Sequence, residues 1–180
     1  MATHDVLHGI GVSAGTAAAP AAIVQPAPGV DTSEPGSVDA AADGARVREA
    51  LAAVSSRLSE RAAKAPEETK AILKATAQLA GDRGLAKAVD KKLKKGLGIT
   101  QAVHDAVEDY AQMLRSLGGY MAERATDLYD VRDRAICELR GLPEPGVPAF
   151  DGTVILVARD LAPAETATLN PETVLGIITE

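Results

Sequence analysis

The sequence predicts an α+β chain of more than one domain: a bundle of about four helices inserted into an incomplete α/β domain. Three observations carry that expectation. Between residues 37 and 141 there is one proline, Pro66, and apolar residues recur at helical spacing. Short apolar runs bounded by Gly and Pro flank this zone on both sides and read as strands. Hydrophobic residues make up 46% of the 180, yet aromatics only 2%, with no Trp, so alanine supplies much of the apolar count, as close-packed helices favour. Strand-like ends cannot hide their edges singly, so 1–36 and 142–180 are expected to join as the α/β part, with 37–141 as the helical insert.

The elements follow in order. Val6–Val12 fits a strand, Ser13-Ala14-Gly15 a turn and Ala21–Val24 a second strand. Pro26, Pro28, Gly29, Pro35 and Gly36 then make an irregular linker. Ser37 is placed to cap a helix over 38–64, whose Val47, Leu51, Val54 and Leu58 lie on one face. Pro66 suits the first turn of a second helix that runs to about Ala80, with Glu67 and Glu68 near its positive end. Gly81 ends it, and Asp82 starts a continuation that stops at Gly96. Thr100 is expected to cap a long helix over 101–125, with Val103, Val107, Tyr110, Leu114 and Leu117 as its stripe. Gly118-Gly119 inside it costs helicity and marks a kink or a close backbone approach. A further helix over 127–140, with Val131, Ile136 and Leu139, stops at Gly141 and Pro143. Thr153–Ala158 reads as a strand buried on both faces, Asp160–Thr166 as a turn into a short helix, and Val174–Ile178 as the next, parallel strand.

Charge and composition narrow the function. A chain this long buries about 70% of its unfolded surface and needs no staples. The net charge of −6 argues against a nucleic-acid partner, whose phosphates call for a basic surface. The single Cys137 cannot form an internal disulfide, which suits a reducing compartment. No apolar run approaches the roughly 18 residues of a membrane span, and Met1–Gly11 lacks the pattern of a signal peptide. A cytoplasmic protein without membrane contact is the expectation.

Local chemistry is sparse. His104 and Glu108 stand one helical turn apart and can share a metal, but no second ligand pair accompanies them, and a surface or packing histidine accounts for the same residues. A histidine phosphotransfer bundle ordinarily sets a lysine three residues after its histidine; here that position is Val107. His4 and His8 have no partner pattern, and Cys137 fits a buried structural thiol. Gly9-Ile10-Gly11 and Ser13-Ala14-Gly15 lack the full phosphate-loop fingerprint. The Lys91-Lys92-Leu93-Lys94-Lys95 run fits a solvated helix end that suits the macrodipole. The last residues, Asn170 to Glu180, are a turn and an apolar strand, which leads toward a loop of the kind that carries functional groups.

Taken together in order, Gly9–Gly15, Glu123-Arg124-Ala125-Thr126-Asp127, Val154–Thr166 and Leu169-Asn170 with Val174–Thr179 resemble the N-terminal half of enzyme I of the bacterial phosphotransferase system, the phosphoenolpyruvate-protein phosphotransferase. The resemblance implies an α/β phosphohistidine (swivelling) domain with an inserted helical bundle that docks the small carrier protein HPr. It implies an enzyme that takes phosphate from phosphoenolpyruvate onto a histidine and passes it to HPr for sugar uptake. In the family that histidine follows in a Thr-Ser-His segment beyond the equivalent of Glu180, so none of the present residues is expected to be catalytic. This stretch is expected to bind HPr and to be inert by itself. Mg2+, phosphoenolpyruvate and the homodimer contact belong in the family to a C-terminal barrel, so no cofactor or metal, and a monomer, are expected here.

The resemblance also implies a docking surface: Glu67, Glu68, Ala71, Ile72, Ala75, Leu79, Asp82 and Leu85 on the second helix and its continuation, with Arg124 near the transferred phosphate. Ile72, Ala75 and Leu79 form an apolar stripe, and Glu67, Glu68 and Asp82 are placed to steer a basic rim on the partner. Ile72 and Leu79 fit a bundle core equally well, Glu67 and Glu68 ordinary helix-start charges, and Arg124 a surface ion pair. Lys74, Gly81, Arg83 and Gly84 dilute the acidity common in relatives, and Ala14 and Ala164 stand where the family has proline and serine. An enzyme-I-like module of a dihydroxyacetone kinase phosphotransfer subunit and a non-catalytic helical adaptor are the alternatives.

Overall fold

A computed structural model describes residues 9–148, 150–159, 161 and 169–180, without the side chains of Glu68, Tyr120 and Glu123. Its residues fall into two compact units, one containing the described residues up to Ile23 and from 150 onward, the other spanning Val24–Pro148. Segments 24–36 and 142–148 thus go with the helices. Gln25 and Gly146 exchange backbone hydrogen bonds at 3.0 and 2.9 Å, which ties together the two ends of the helical unit.

The smaller unit holds a parallel sheet in the order β1-β2-β3, with β1 at Ala21–Ile23, β2 at Val154–Ala158 and β3 at Val174–Thr179. Ala22 pairs with Leu156 and Leu156 with Ile177, after an irregularity between Val154 and Ile155. β2 buries Val154, Leu156 and Ala158, whereas Ile155 and Val157 are half-buried, so one face is covered more fully than the other and the expectation of two buried faces is corrected. Residues 9–12 carry no strand, and Ile10 and Val12 are almost fully exposed. They pair with no other strand among the described residues, and an apolar run without a ladder partner cannot hold a strand. The rest of that expected strand, and the expected helix within Asp160–Thr166 apart from Leu161, lie outside the described residues.

The helical unit comprises α1 (Ala40–Lys64), α2 (Glu67–Ala80), α3 (Arg83–Leu93), α4 (Ile99–Leu117) and α5 (Gly119–Arg140) around one core. Val47, Leu51, Val54 and Leu58 of α1 are all buried, as their spacing requires. The cap of α1 is Asp39, whose carboxylate accepts from the N–H groups of Ala41 and Ala42 at 3.1 and 3.0 Å. Ser37 instead donates its hydroxyl to Asp43 at 2.7 Å. Pro66 sits at the cap position of α2 rather than in its first turn.

The expected helices at 101–125 and 127–140 are divided elsewhere. Gly118 adopts φ 72° and ψ −177°, backbone open to glycine but strained for other residues, and it separates α4 from α5. The pair of glycines is therefore a full break, not a kink. Leu117, placed in the α4 stripe by spacing, is 64% exposed because the chain turns immediately after it, whereas Val103, Val107 and Leu114 are buried. α5 ends as expected at Gly141, in the left-handed region at φ 63°, with the Leu142 N–H reaching Cys137 O at 2.9 Å.

Thr100 does not cap α4. It lies within the first turn, 1% exposed, and its N–H and hydroxyl both donate to one oxygen of Glu34 at 2.8 Å. Gly98 at the cap position has no side chain to offer, so the linker supplies the acceptor from 66 residues away. Glu34→Ala is expected to lower stability by about 2 kcal/mol, the sum of a lost cap and a buried hydroxyl left without its acceptor. A urea titration followed by circular dichroism measures this, and a midpoint equal to the parent chain's contradicts it.

Candidate docking surface

The surface indicated by the resemblance lies on α2 and the start of α3. α2 turns Leu73, Thr76, Ala77 and Ala80 toward the bundle and leaves Ala71, Ile72, Lys74 and Gln78 exposed. Ile72 is 57% exposed and is the one large apolar side chain of α2 that stands clear of the core. Ala75 and Leu79 continue its stripe half-buried, Leu79 also packing on the core. Glu67 is exposed and accepts from Lys70 Nζ at 3.1 Å. The side chain of Glu68 lies outside the described residues.

Leu85 is corrected. It is 1% exposed and belongs with Val89 and Leu93 to the inward stripe of α3, so it supports the surface from beneath and offers no side chain to a partner. Asp82 is partly buried and occupied: its Oδ1 accepts from the Leu85 N–H at 2.9 Å and from the Tyr110 hydroxyl at 3.4 Å. It thus caps α3 and joins the α2–α3 elbow to α4. Burial, and then the charge of Asp82, push the Tyr110 phenol above its ordinary value, which keeps it a donor. A Cβ on Gly84 would stand 2.7 Å from Asp82 Oδ1 and 3.2 Å from the Tyr110 oxygen, so glycine leaves room for this contact. Tyr110 lies 28 residues from Asp82, and no local signal in the sequence points to the pairing.

Arg124 stands on α5, not at the end of the preceding helix, because the break falls at Gly118. It is half-buried, and its Nη1 donates to Asp127 at 2.7 Å.

The remaining candidates are engaged structurally. His104 Nδ1 lies 3.4 Å from Asp105, while Glu108 accepts from the Tyr129 hydroxyl at 3.1 Å and from Arg132 at 3.3 Å. Tyr129 is flanked by Arg115 and Arg132, 5.2 and 4.9 Å from its ring centre. Among the described residues no three His, Cys, Asp or Glu side chains are arranged to hold a metal. Cys137 is buried; burial, and then Asp133, raise its thiol above the usual range, the opposite of an activated nucleophile. His4 and His8 lie outside the described residues. No described helix is long and apolar enough to cross a membrane.

The family description "PEP-utilising enzyme, N-terminal" matches residues 8–124. The phosphoenolpyruvate-protein phosphotransferase of Streptomyces coelicolor is 43% identical over 142 residues, which are 79% of this chain and 26% of that protein. The same-named protein of Haloferax volcanii is 33% identical over 113 residues, 63% of this chain and 20% of its own length. The chain thus spans about a quarter or less of these relatives. Among solved structures, an Enzyme I (nEIt) protein determined by NMR superposes with a TM-score of 0.66 at 29% identity, covering 89% of this chain and 70% of that one. The N-terminal domain of Enzyme 1 - Nitrogen gives 0.60 at 25% identity, covering 89% and 68%. A helical unit carrying these helices in this order, a small parallel sheet and a family match across 8–124 together place the chain in the PEP-utilising enzyme N-terminal family, as an N-terminal region of enzyme I.

Proposed function

We propose that this chain is the carrier-docking part of a phosphoenolpyruvate-protein phosphotransferase and that it binds HPr through α2 and the α2–α3 elbow. In this reading the enzyme moves a phosphoryl group from phosphoenolpyruvate to a histidine nitrogen, leaving pyruvate, and then to HPr for sugar uptake in the cytoplasm. The α/β part is an incomplete phosphohistidine domain, and the helices from about 37 to 141 are an insert within it. Transfer between two proteins depends chiefly on alignment of donor and acceptor, and that alignment is the work assigned to this surface. In this reading the residues present here bind the carrier and position it, and carry out no transfer of their own. Phosphoenolpyruvate, Mg2+ and the homodimer contact are assigned to other parts of the longer enzyme, and the present chain to a monomer.

The observation that carries this reading is Ile72, a large apolar side chain held in the open on a helix whose opposite face is core, beside Ala71, Ala75 and Leu79. Single exposed apolar residues are common, but this one begins an apolar stripe that runs into the elbow. The family resemblance adds that its members dock HPr on the corresponding helices. The test is an NMR titration of isotope-labelled HPr from the same source with the 180-residue chain. Shifts confined to the surroundings of the HPr phosphoacceptor histidine are expected. A folded chain that produces no shifts at millimolar concentration overturns the reading.

A further inference from the structure

The charge of the surface runs against that of the chain. Residues 67–95 carry eight Lys and Arg against four Asp and Glu, a net of +4 within a chain of net −6. The structure sorts these charges further. The described carboxylates are engaged within the fold: Glu67 with Lys70, Asp82 as the cap of α3, and Asp90 with Arg48 at 3.0 Å. On α3, Leu85, Val89 and Leu93 point inward, which leaves Arg83, Lys87 and Lys91, with Lys94 at the C-cap just past them, on one solvent-facing stripe. None of these four joins an ion pair among the described residues, whereas Lys92, off the stripe, pairs with Asp109 at 2.7 Å.

The macrodipole accounts for Lys91 and Lys94, which stand near the negative end of α3. It does not account for Arg83, the first residue of the helix, or Lys87 one turn later. A cation in the first turn faces the positive end of the dipole, and like charges at i and i+4 repel. Local helix energetics therefore do not account for this arrangement, which sends a positive field into solvent. That field begins at the elbow where the apolar stripe of α2 ends.

We infer that the partner of this surface is a small protein whose apolar contact patch is rimmed by carboxylates, with Arg83, Lys87, Lys91 and Lys94 as the residues that steer and select it. This rests on the docking reading above and reverses the expected sign, in which Glu67, Glu68 and Asp82 steer a basic rim. Complementary potentials act mainly on the association rate and on the choice of partner.

The experiment measures association of the 180-residue chain with HPr of the same source by stopped flow at about 0.01 M and 1 M salt, where the screening length falls from about 30 to about 3 Å. The on-rate is expected to fall at least about tenfold with salt. The variant Arg83→Glu/Lys87→Glu/Lys91→Glu is expected to lose at least about tenfold at low salt, and an HPr whose rim carboxylates are replaced by lysine is expected to restore it. Glutamate suits the dipole at 83 and opposes it at 91, and all three side chains are exposed, so the variant is expected to keep its fold, as circular dichroism verifies. If the variant binds as the parent does while Ile72→Asp abolishes binding, docking stands and this inference falls. Faster association by the variant means a basic rim and also overturns it. If HPr does not bind the parent chain, the docking reading falls and carries the inference with it, and retention of the parent on heparin would then assign the stripe to polyanions.

Discussion

Replacing Glu144 by Gln is expected to lower the stability of the chain by about 3 kcal/mol at neutral pH, toward the lower end of what breaking a buried charge network costs. Glu144 follows α5 and is met by three arginines from two helices. Arg57 Nε donates to its Oε1 at 3.0 Å, Arg61 Nη2 donates to its Oε2, and Arg134 Nη1 lies 3.2 Å from Oε2 without hydrogen-bonding geometry. Arg57 also reaches Glu138 at 2.7 Å, and Arg134 reaches Asp130 at 2.7 Å. The glutamate side chain is 20% exposed and that of Arg134 14%, so screening is partial; Arg57 and Arg61 are more open, which holds the figure below the fully buried limit. An amide at this position keeps the shape but leaves three guanidinium groups without their shared anion.

The pH dependence follows from the same contacts. Burial by itself raises the Glu144 carboxyl, but Arg134, Arg61 and Arg57 together outweigh burial and hold it below its ordinary 4.5. A carboxyl depressed on folding stabilises the native state fully above its unfolded value and ceases to do so as pH falls through the folded one. The gap between parent and Glu144→Gln in urea titrations is therefore expected to be constant from neutral pH down to about 5 and to narrow below 4.5. A gap that widens on acidification, or that is absent at pH 7, contradicts the network.

What the sequence made legible was whatever repeats locally. The face of α1 is readable because Val47, Leu51, Val54 and Leu58 recur with the period of the helix, and the parallel strands because Val154–Ala158 and Val174–Ile178 are apolar runs bounded by turn residues. The same rule, applied to α3, separates Leu85, Val89 and Leu93 from Arg83, Lys87 and Lys91. Leu85 was therefore readable as core, and the resemblance, which carries a family surface residue by residue, concealed it. Contacts across long separations left no trace. The carboxylate of Glu34 serves Thr100, and Glu144 serves Arg57 from 87 residues away. Each is an unremarked charge until the fold sets it beside its partner. Gly118 departs from the expected continuous helix for a different reason: the propensity cost of glycine inside a helix is small, whereas a positive φ at that residue ends the helix outright.

Ile72→Asp is expected to weaken HPr binding by at least about 30-fold, the loss that follows from removing about 2 kcal/mol at a central apolar contact. Other positions on the surface test it less cleanly. Leu79 packs on the core, Asp82 caps α3, and Arg124 is held by Asp127, so their substitution disturbs the fold as well as the contact. Ile72 is 57% exposed, and the hydrogen bond at its position comes from its backbone carbonyl, which accepts from the Thr76 hydroxyl at 3.1 Å whatever the side chain. A surface substitution of this kind shifts stability by about 0.5 kcal/mol. The expected result is therefore a split: an unchanged urea midpoint with binding lost, and Ile72→Ala in between because it removes apolar area without adding a charge. Aspartate at this position also sets a carboxylate against the acidic rim inferred for the partner, so its effect is expected to exceed that of Ile72→Lys. Equal losses for the two charges would leave the apolar contact intact as the basis of docking while removing the electrostatic preference, whereas undiminished binding by all three variants would take α2 out of the interface.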